Sequence, residues 1–386
     1  MEFIKKIGKS ENGSVTVYVL STLIVVLLVT TTIYIGLRNK TTTQIKQMDK
    51  INKEYSVTDT DMQEAYDKAI MGTLESVKGT ETTNTTVKDN LGNKVVVPAG
   101  FKVINPNDNV TNGIVVEDVS HSATAGSQFV WIPVGEVVKE IKDGVKSTET
   151  ITLGRYVFNE NGTIDTALSK TEPGEQLKTS SSASYYFTEG LKDSSTTNTH
   201  AKDIEDFKNK VTNTTHGYYI GRYEARKNGT QVTVKASDTV YNNITQPDAA
   251  TVSRGMYSDS NFESDLMNSY AWDTAIVFLQ KFDNRTNKAS LKPYSQQNSL
   301  NTKSDGLASQ GTNNLSDVSK QDVICNVWDM ASNCYEWTTE TYSNSNVPCT
   351  FRGGGYSYSN TCTSGRSRDN ASRSDDSISF RSLLYM

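Results

Sequence analysis

The chain has 386 residues, a formal net charge of −5 and 22% charged residues, with no lysine- or arginine-rich stripe. The clustered positive charge of a nucleic-acid binder is therefore absent, and no nucleic-acid partner is expected. The three histidines, His121, His200 and His216, stand far apart in the sequence, which weighs against a histidine-based zinc site or a serine-hydrolase triad.

Residues 14–37 contain no charged residue. At a rise of ~1.5 Å per residue, a helix of this length spans roughly 36 Å, enough to cross a hydrocarbon core of ~30 Å. The apolar region of a cleaved signal peptide is usually only ~7–15 residues long, whereas this run is longer and ends at Arg38. The sequence therefore predicts a cytoplasmic leader at 1–13 and an uncleaved transmembrane helix at 14–37.

Lysines stand on both sides of the predicted helix, so the charge bias does not set its orientation. The clustered cysteines and a neutral composition rich in Thr, Asn and Ser favour an extracytoplasmic C-terminus. We therefore expect a single-pass protein of the cell membrane, of bacterial type, whose large C-terminal part faces outward.

The N-terminus also resembles the leader of type IV prepilins, since Lys5 and Lys6 precede Gly13 and an uncharged helix. In that family cleavage follows a glycine, and a glutamate stands five residues after the cut. Here Tyr18 occupies that position. A plain anchor is therefore expected, and a pilin-like subunit with an adhesive tip is the alternative.

Residues 38–86 are predicted to form a stalk. Apolar residues recur every three or four positions from Met62 to Val77, and Asp59 is a suitable N-cap, so a helix is expected at 59–77. The polar run 78–86 contains no core-forming residue and is predicted to be a linker.

A β-rich lead-in is predicted at 87–128, beginning with a turn at 90–93 and a strand at 95–97. Further strands are expected at 113–117, 129–133 and 218–225. The Ser-, Thr- and Gly-rich stretch 142–199 is predicted to form surface loops with short hairpins.

Two helices are predicted in the remaining chain. The first lies at 201–211, where Ile204, Phe207 and Val211 share one face. The second is expected to begin at Ser260, because Glu263 three residues later completes a capping box, and to run through Phe282. The polar stretch 284–321 is predicted to be a loop.

The four cysteines fall within the last 62 residues of the chain, and no pair has the C-x-x-C spacing of a zinc ribbon. Their even number beyond a membrane segment indicates disulfides, and four buried free thiols are the alternative. Cys334 and Cys349 lie on the arms of a predicted hairpin that turns near 343–346, where the ~4.4–6.8 Å Cα separation of a disulfide is attainable. Cys325 and Cys362 would then form the second bridge, although four cysteines allow three pairings.

Four segments in order resemble the formylglycine-generating enzyme (sulfatase-modifying factor) family. They are FVWIPVGE at 129–136, YYIGRYEA at 218–225, NVWDMASNCYEWTTE at 326–340, and RGGGY at 352–356 followed by SFR at 379–381. The resemblance covers roughly residues 95–386 and implies an α+β, C-type-lectin-like fold, with the domain proper at 129–386. It also makes Arg381 a candidate for a buried, paired arginine that ties the last strand to the core.

The resemblance further implies a calcium site in the loop that precedes the Glu336-Trp337 pair. The family positions map to Asp329, to the carbonyl oxygens of Ser332 and Cys334, and to Glu336. A hard cation accepts such carboxylate and carbonyl oxygens. The alternative is a hydrogen-bonded turn in which Glu336 pairs with an arginine.

The enzyme of the family holds copper with two cysteines, since copper(I) prefers soft thiolates. In this chain those positions map to Tyr358 and Thr363, and Cys362 is one residue off. Copper binding and catalysis are therefore not expected, and a divergent oxidase is the alternative to a binding protein.

The stretch 356–379 is dominated by Ser, Asn, Tyr, Asp and Arg, residue types that are common in adaptable binding loops. We expect a non-catalytic, surface-displayed, adhesin-like protein that binds an extracellular protein or a glycan through this stretch. The predicted contact residues are Tyr356, Tyr358, Asn360, Arg366, Arg368 and Asn370.

Overall fold

The structure of the chain is a computed structural model that describes residues 71–190, 200–236, 240–257, 261–285, 291–298, 322–356 and 361–386. These residues belong to one compact unit, Met71–Met386. The predicted leader, the predicted transmembrane helix at 14–37 and residues 38–70 of the predicted stalk lie outside the described residues. In the described ranges no helix has the length and apolar character of a membrane span.

The fold is a mixture of α and β structure in which sheets predominate. In chain order the strands of the described residues are β1 Gly72–Thr73, β2 Thr85–Lys88, β3 Lys94–Val97, β4 Phe101–Val103, β5 Val115–Asp118, β6 Gln128–Pro133, β7 Gly135–Lys142, β8 Val145–Ile151, β9 Phe187–Glu189, β10 Gly217–Gly221, β11 Arg226–Asn228, β12 Gln231–Thr233, β13 Glu263–Leu266, β14 Val323–Ile324, β15 Val327–Trp328, β16 Tyr335–Tyr342, β17 Cys349–Arg352, β18 Arg366–Asp369, β19 Ile378–Phe380 and β20 Ser382–Tyr385. The helices are α1 Ile204–Asn209, continued by a π-helical turn at Lys210–Thr214, α2 Gln246–Arg254 and α3 Ser269–Lys281, with short 3-10 turns at Leu74–Ser76, Val110–Asn112 and Tyr294–Gln296.

The central sheet has six strands in the order β13-β20-β10-β6-β5-β4. Its middle strand β10 carries two consecutive tyrosines, which point to opposite faces because side chains alternate along a strand. The Tyr218 hydroxyl donates to the carbonyl oxygen of Ala271 in α3 at 2.7 Å. The Tyr219 hydroxyl donates to the carbonyl oxygen of Val96 in β3 at 3.0 Å. Helix α3 therefore covers one face of this sheet, and the small sheet β1-β2-β3 covers the other.

The second main sheet follows the order β18-β17-β16-β19. Strand β16 is eight residues long and has different partners at its two ends. Its first residues pair in parallel with β19, and its last residues, Glu340 to Tyr342, pair antiparallel with β9. Strand β18 lies at the edge of this sheet, so it forms the border toward solvent.

Several predicted elements are confirmed. The strands expected at 95–97, 113–117, 129–133 and 218–225 correspond to β3, β5, β6 and β10 within a few residues. The helix expected at 201–211 corresponds to α1 and its π-helical turn, and the Asp203 side chain caps α1 by accepting from the Asp206 amide at 3.0 Å. The hairpin β7–β8 is the first of the short hairpins expected near 142–199.

The prediction for the second helix is wrong at its start. Residues Glu263–Leu266 form strand β13, which pairs with β20, and α3 begins only after its N-cap Asn268, whose side chain accepts from the Ala271 amide at 2.9 Å. Pairing with a strand more than a hundred residues away outweighs the local capping signal. Helix α2 was not predicted, although Thr245, Pro247 and Asp248 form a helix-start signal.

The predicted stalk is also corrected within the described residues. The end of the expected helix forms β1 and a 3-10 turn, and Gly72 pairs in parallel with Val87 of β2. Leu74 and Val77, which the helix would have carried on one face, are buried in the core instead. Residues 71–88 are thus part of the folded unit, because strand pairing satisfies their backbone.

Three successive glycines lie against the loop that precedes β16. An ideal Cβ would lie 2.5 Å from the Met330 carbonyl oxygen at Gly353 and 2.1 Å from that of Ala331 at Gly354. At Gly355 it would lie 2.8 Å from the Tyr335 ring. The close backbone approach explains why side chains are excluded here.

We expect Gly354→Ala to lower the free energy of unfolding by about 1–3 kcal/mol or more, because backbone rather than a flexible side chain occupies the space of the new methyl group. Urea denaturation of the full chain measures this. Gly255→Ala is the matched control, since Gly255 has an ordinary φ of −82° and its nearest Cβ contact is 3.4 Å. Equal stability of the two variants would contradict the close approach.

Candidate functional site

One face of the second sheet is buried at one end and exposed to solvent at the other. Because alternate residues of a strand share a face and paired residues lie side by side, this face can be read from the strand registers. It carries Phe187 and Glu189 of β9, Glu340 and Tyr342 of β16, Thr350 and Arg352 of β17, and Arg366 and Arg368 of β18.

The buried end of this face holds five charged side chains, Arg155, Arg352, Arg366, Asp273 and Glu340. Arg155 lies 2.7 Å from Glu340 Oε1, and Arg366 Nε lies 3.1 Å from Glu340 Oε2. Arg352 pairs with both carboxylates, and Arg366 also pairs with Asp273. Each carboxylate therefore bridges at least two guanidinium groups. We call these five residues the buried charge network.

Each of the three arginines also donates to a backbone carbonyl oxygen. The acceptors are Glu175 for Arg155, Gly365 for Arg352 and Tyr156 for Arg366, at 2.9–3.1 Å. These additional hydrogen bonds help the buried ion pairs to offset desolvation, although the buried Nε of Arg155 has no hydrogen-bond partner. Burial alone would raise the pKa of Glu340, but the guanidinium groups outweigh it and hold this pKa at about 2.

Arg366 is therefore a structural residue. Its side chain is only 3% exposed, and its donors are used inside the protein. The prediction that Arg366 contacts a ligand is wrong, because the register of β18 turns this arginine toward Asp273 of α3 and Glu340 of β16.

The exposed end of the same face carries an arginine stacked on aromatic rings. The Arg368 guanidinium lies 5.0 Å from the centroid of the Tyr342 ring. Tyr342 in turn packs against Phe187 at 4.8 Å and Tyr185 at 5.5 Å between ring centroids. Tyr185 is 47% exposed. We call Tyr185, Tyr342 and Arg368 the aromatic–arginine surface.

Of the other predicted contact residues, the structure describes Tyr356 and Asn370, and neither is a member of this surface. Tyr356 is buried in a small cluster with Val240 and Cys334, so it does not reach solvent as predicted. Tyr358 and Asn360 lie outside the described residues. Asn370 is exposed one residue beyond the end of β18. Of the six predicted residues, Arg368 and Asn370 are thus the exposed ones that the structure describes.

Sequence reasoning missed Tyr185 and Tyr342. Tyr342 stands just beyond the quoted signature segment that ends at Glu340, and Tyr185 lies in the Ser-rich insertion, more than 150 residues earlier. The available signal was the aromatic run Tyr185-Tyr186-Phe187 within an otherwise polar stretch. Only the pairing of β9 with β16 places the two tyrosines together.

The predicted calcium loop is a tight turn, in which Asp329 and Asn333 have positive φ angles of 66° and 62°. Glu336 follows this turn, and both of its carboxylate oxygens accept from the Arg381 guanidinium, at 2.7 and 3.0 Å. Arg381 is fully buried, as expected for an arginine that ties the last strand to the core. The arrangement corresponds to the alternative in which Glu336 pairs with an arginine.

The surroundings of this turn nevertheless hold several buried carboxyl groups. Glu224 and Asp322 are buried near Asp329 and Glu336, and Arg381 lies close to all four. Burial, together with Glu336 and Asp329, raises the pKa of Glu224 well above its usual range. Sequence reasoning did not assign Glu224 or Asp322 to the site.

One buried oxygen in the turn, Asn333 Oδ1, has no hydrogen-bond partner. That oxygen and the Asp329 carboxyl group are of the type that a hard cation binds, whereas the Glu336 carboxylate is occupied by Arg381. No group of three or more His, Cys, Asp or Glu side chains in the described ranges is arranged to hold a metal ion. Any calcium here would depend on Asp329 and on carbonyl oxygens such as those of Ser332 and Cys334, and calcium binding stays a prediction.

The predicted disulfides are not present, since none of the four cysteines is bonded to another. Cys349 pairs with Thr341 in the register of β16 and β17. Cys334 immediately precedes β16, seven residues before Thr341, which places it roughly 23 Å away at ~3.3 Å per residue. The Cys325 thiol instead lies 3.3 Å from the carbonyl oxygens of Thr111 and Phe282. The Cys362 thiol lies 3.5 Å from the Ser364 hydroxyl.

Thr363, which maps to a copper-binding position, has a structural role. It is fully buried, its amide donates to the Gln297 carbonyl oxygen at 3.0 Å, and its own carbonyl oxygen accepts from Trp272 Nε1 at 3.0 Å. Tyr358, which maps to the other copper position, lies outside the described residues.

The chain has little detectable similarity to known proteins. No family model matches the chain, and no curated protein matches it. Among solved structures the chain is similar to PvdO from Pseudomonas aeruginosa, with a TM-score of 0.33 and 10% sequence identity over 68% of this chain and 95% of that one. A likeness at this level does not identify the fold or the function.

Arg366 and Arg368 are two residues apart on one strand, so they form a matched pair for mutation. We expect Arg366→Ala to lower the free energy of unfolding by about 3–5 kcal/mol, because it leaves two buried carboxylates short of a partner. Arg368→Ala should cost less than about 1 kcal/mol, since its stacking is at an exposed site. Urea denaturation of the full chain compares them, and a similar loss for both would contradict the buried charge network.

We expect millimolar calcium to raise the melting temperature of the full chain relative to chelator, because a ligand that binds only the folded state stabilises it by mass action. Asp329→Asn should remove this increment without touching the Arg381–Glu336 pair. Glu160→Gln, at an exposed position, is the control and should retain it. Identical melting curves of the unmutated chain in calcium and in chelator would exclude a calcium site in this turn.

Proposed function

We propose that the chain is a membrane-anchored, surface-displayed, adhesin-like binding protein whose region 129–386 is a non-catalytic domain of the formylglycine-generating-enzyme type with a C-type-lectin-like fold. The sheet-rich α+β architecture is compatible with that fold. The motif segments that carry the resemblance also contact one another, since Arg381 pairs with Glu336 and Gly354 lies against Ala331.

The observation that carries the binding function is the change from buried to exposed along β18. Arg366 is fixed in the buried charge network, and from Arg368 to Asp376 most side chains are exposed or half-exposed. Binding residues commonly lie on surface segments that a rigid scaffold positions. Because Arg366 anchors the start of this polar segment, the segment loses little conformational entropy when it binds a ligand.

The buried position of Thr363 is a further argument against the oxidase alternative. A copper ligand must present a soft donor atom to the metal, whereas Thr363 uses its backbone to hold Trp272 and Gln297 in place. The pilin-like alternative concerns residues of the N-terminus, and cleavage after Gly13 would support it.

Cells that display the full chain should adhere to at least one member of a panel of immobilised extracellular proteins and glycans. We expect the double variant Arg368→Ala/Asn370→Ala to lose that adhesion while its melting temperature stays within a few degrees, because exposed positions rarely contribute more than ~0.5 kcal/mol. Lys94→Ala, exposed on the separate sheet β1-β2-β3, is the control and should adhere normally.

Two results would contradict this proposal. One is the absence of adhesion to every member of the panel by a chain that is folded and displayed. The other is stoichiometric copper(I) uptake with oxidation of a cysteine peptide, which would favour the oxidase and make Cys362 the first residue to replace.

A further inference from the structure

The aromatic–arginine surface combines two features that are rarely adjacent, an exposed ring and a fixed guanidinium group. Tyr185 offers a ring that is 47% exposed. Arg368 lies over the neighbouring Tyr342 ring. Phe187, which is buried, contacts Tyr342 from β9. Tyr342 and Arg368 lie on strands of one sheet, and Tyr186, next to Tyr185, is hydrogen-bonded to Ser343. The fold therefore sets the relative positions of the three side chains.

The donors of Arg368 are available. Within the described residues its guanidinium makes no hydrogen bond and no ion pair, and its recorded side-chain contact is the Tyr342 ring. Arg373, also exposed on this part of the chain, differs because it pairs with Asp375 and Asp369. A guanidinium that lies on a ring keeps its N–H groups in a planar fork, which matches the two oxygens of a carboxylate.

The size of the surface limits the class of ligand. The Tyr185 and Tyr342 ring centroids lie 5.5 Å apart, and the Arg368 guanidinium lies 5.0 Å from the Tyr342 centroid, so the three side chains span about 10 Å. A stable protein complex uses about 20–30 residues on each side, far more than these three. One or two sugar rings fit such a span. The C–H edges of a sugar ring carry partial positive charge, which suits the negative face of an aromatic ring such as Tyr185.

The local charge limits the ligand further. Arg368 is the one basic residue among the three that form this surface, and within the described residues its guanidinium makes no ion pair. A single arginine suits a monoanion rather than a phosphate dianion, which commonly takes a cluster of basic groups. A carboxylate on a sugar ring is such a monoanion.

We infer that the aromatic–arginine surface is a calcium-independent binding site for carboxylated sugars, in which Arg368 binds the carboxylate and Tyr185 packs against the ring. This inference rests on the proposed binding function and specifies its ligand. The site needs no order change on binding, because the strands that carry Tyr342 and Arg368 are already paired.

Tetragalacturonate and its fully methyl-esterified form are matched probes, since they share their rings and differ in charge. Calorimetric titration of the full chain in detergent micelles, with chelator present, should show binding of the acid and at least about tenfold weaker binding of the ester, as expected when a charge-assisted pair is lost. Affinity for the acid should fall as salt rises, because the Arg368 pair is exposed.

Substitutions of Arg368 and Tyr185 test separately the binding of the carboxylate and the packing against the sugar ring. Arg368→Ala should weaken binding of the acid by about tenfold or more, and Arg368→Lys should recover only part of it because lysine lacks the planar fork. Tyr185→Ala should weaken both probes. Arg373→Ala, which removes a neighbouring exposed arginine outside the aromatic–arginine surface, is the control and should bind both probes normally.

Binding of the ester as tight as that of the acid would overturn the inference, as would a wild-type affinity in Arg368→Ala. Failure to bind either probe by a chain that still adheres to a panel member would refute the sugar specificity and leave the proposed function intact. Loss of adhesion and of probe binding together, in a folded chain, would refute both.

Discussion

The buried charge network is the interaction on which the second half of the domain depends. Its five residues come from the segment after β8, from α3, and from β16, β17 and β18. Removing any one would leave the remaining buried charges with fewer partners, and breaking a buried ion pair costs several kcal/mol. The network therefore holds α3 against the second sheet. Through Arg155 it also holds the stretch 142–199 against the same face of that sheet.

A second buried pair links the two main sheets. Arg381 stands between β19 and β20, so the chain passes there from the C-terminal sheet into the central one. Its guanidinium binds Glu336 of β16 and the carbonyl oxygens of Gly221 and Trp328. The glycines after β17 allow the neighbouring backbone to approach the same turn. These contacts explain why the motif segments at 326–340, 352–356 and 379–381 contain characteristic charged residues and glycines.

The exposed aromatic–arginine surface is rigid because Tyr342 and Arg368 lie on the same strands as the buried charge network. Arg366 and Arg368 share one face of β18. Glu340 and Tyr342 share the same face of the sheet on β16, with β17 between the two strands. The register that buries the ion pairs therefore also places Arg368 on Tyr342. Preorganisation of this kind reduces the ordering cost of binding. The stability of the core and the geometry of the candidate binding surface are thus consequences of a single sheet register.

Several features can be predicted from the sequence alone, because each follows from local composition or from a residue type with few other roles. They are the strands with continuous apolar runs, such as β6 and β10, the helix near 201–211, the paired state of Arg381 and the close approach at the glycines. Other features depend on the folded chain: Arg366 is buried while Arg368 is exposed, residues 263–266 form a strand, and the cysteines form no disulfide. Folding also brings Tyr185 beside Tyr342. These outcomes depend on strand registers and on partners such as Asp273, which lies 93 residues from Arg366. No local pattern records such a distance, because the energy that selects one register comes from contacts formed only when the chain has folded.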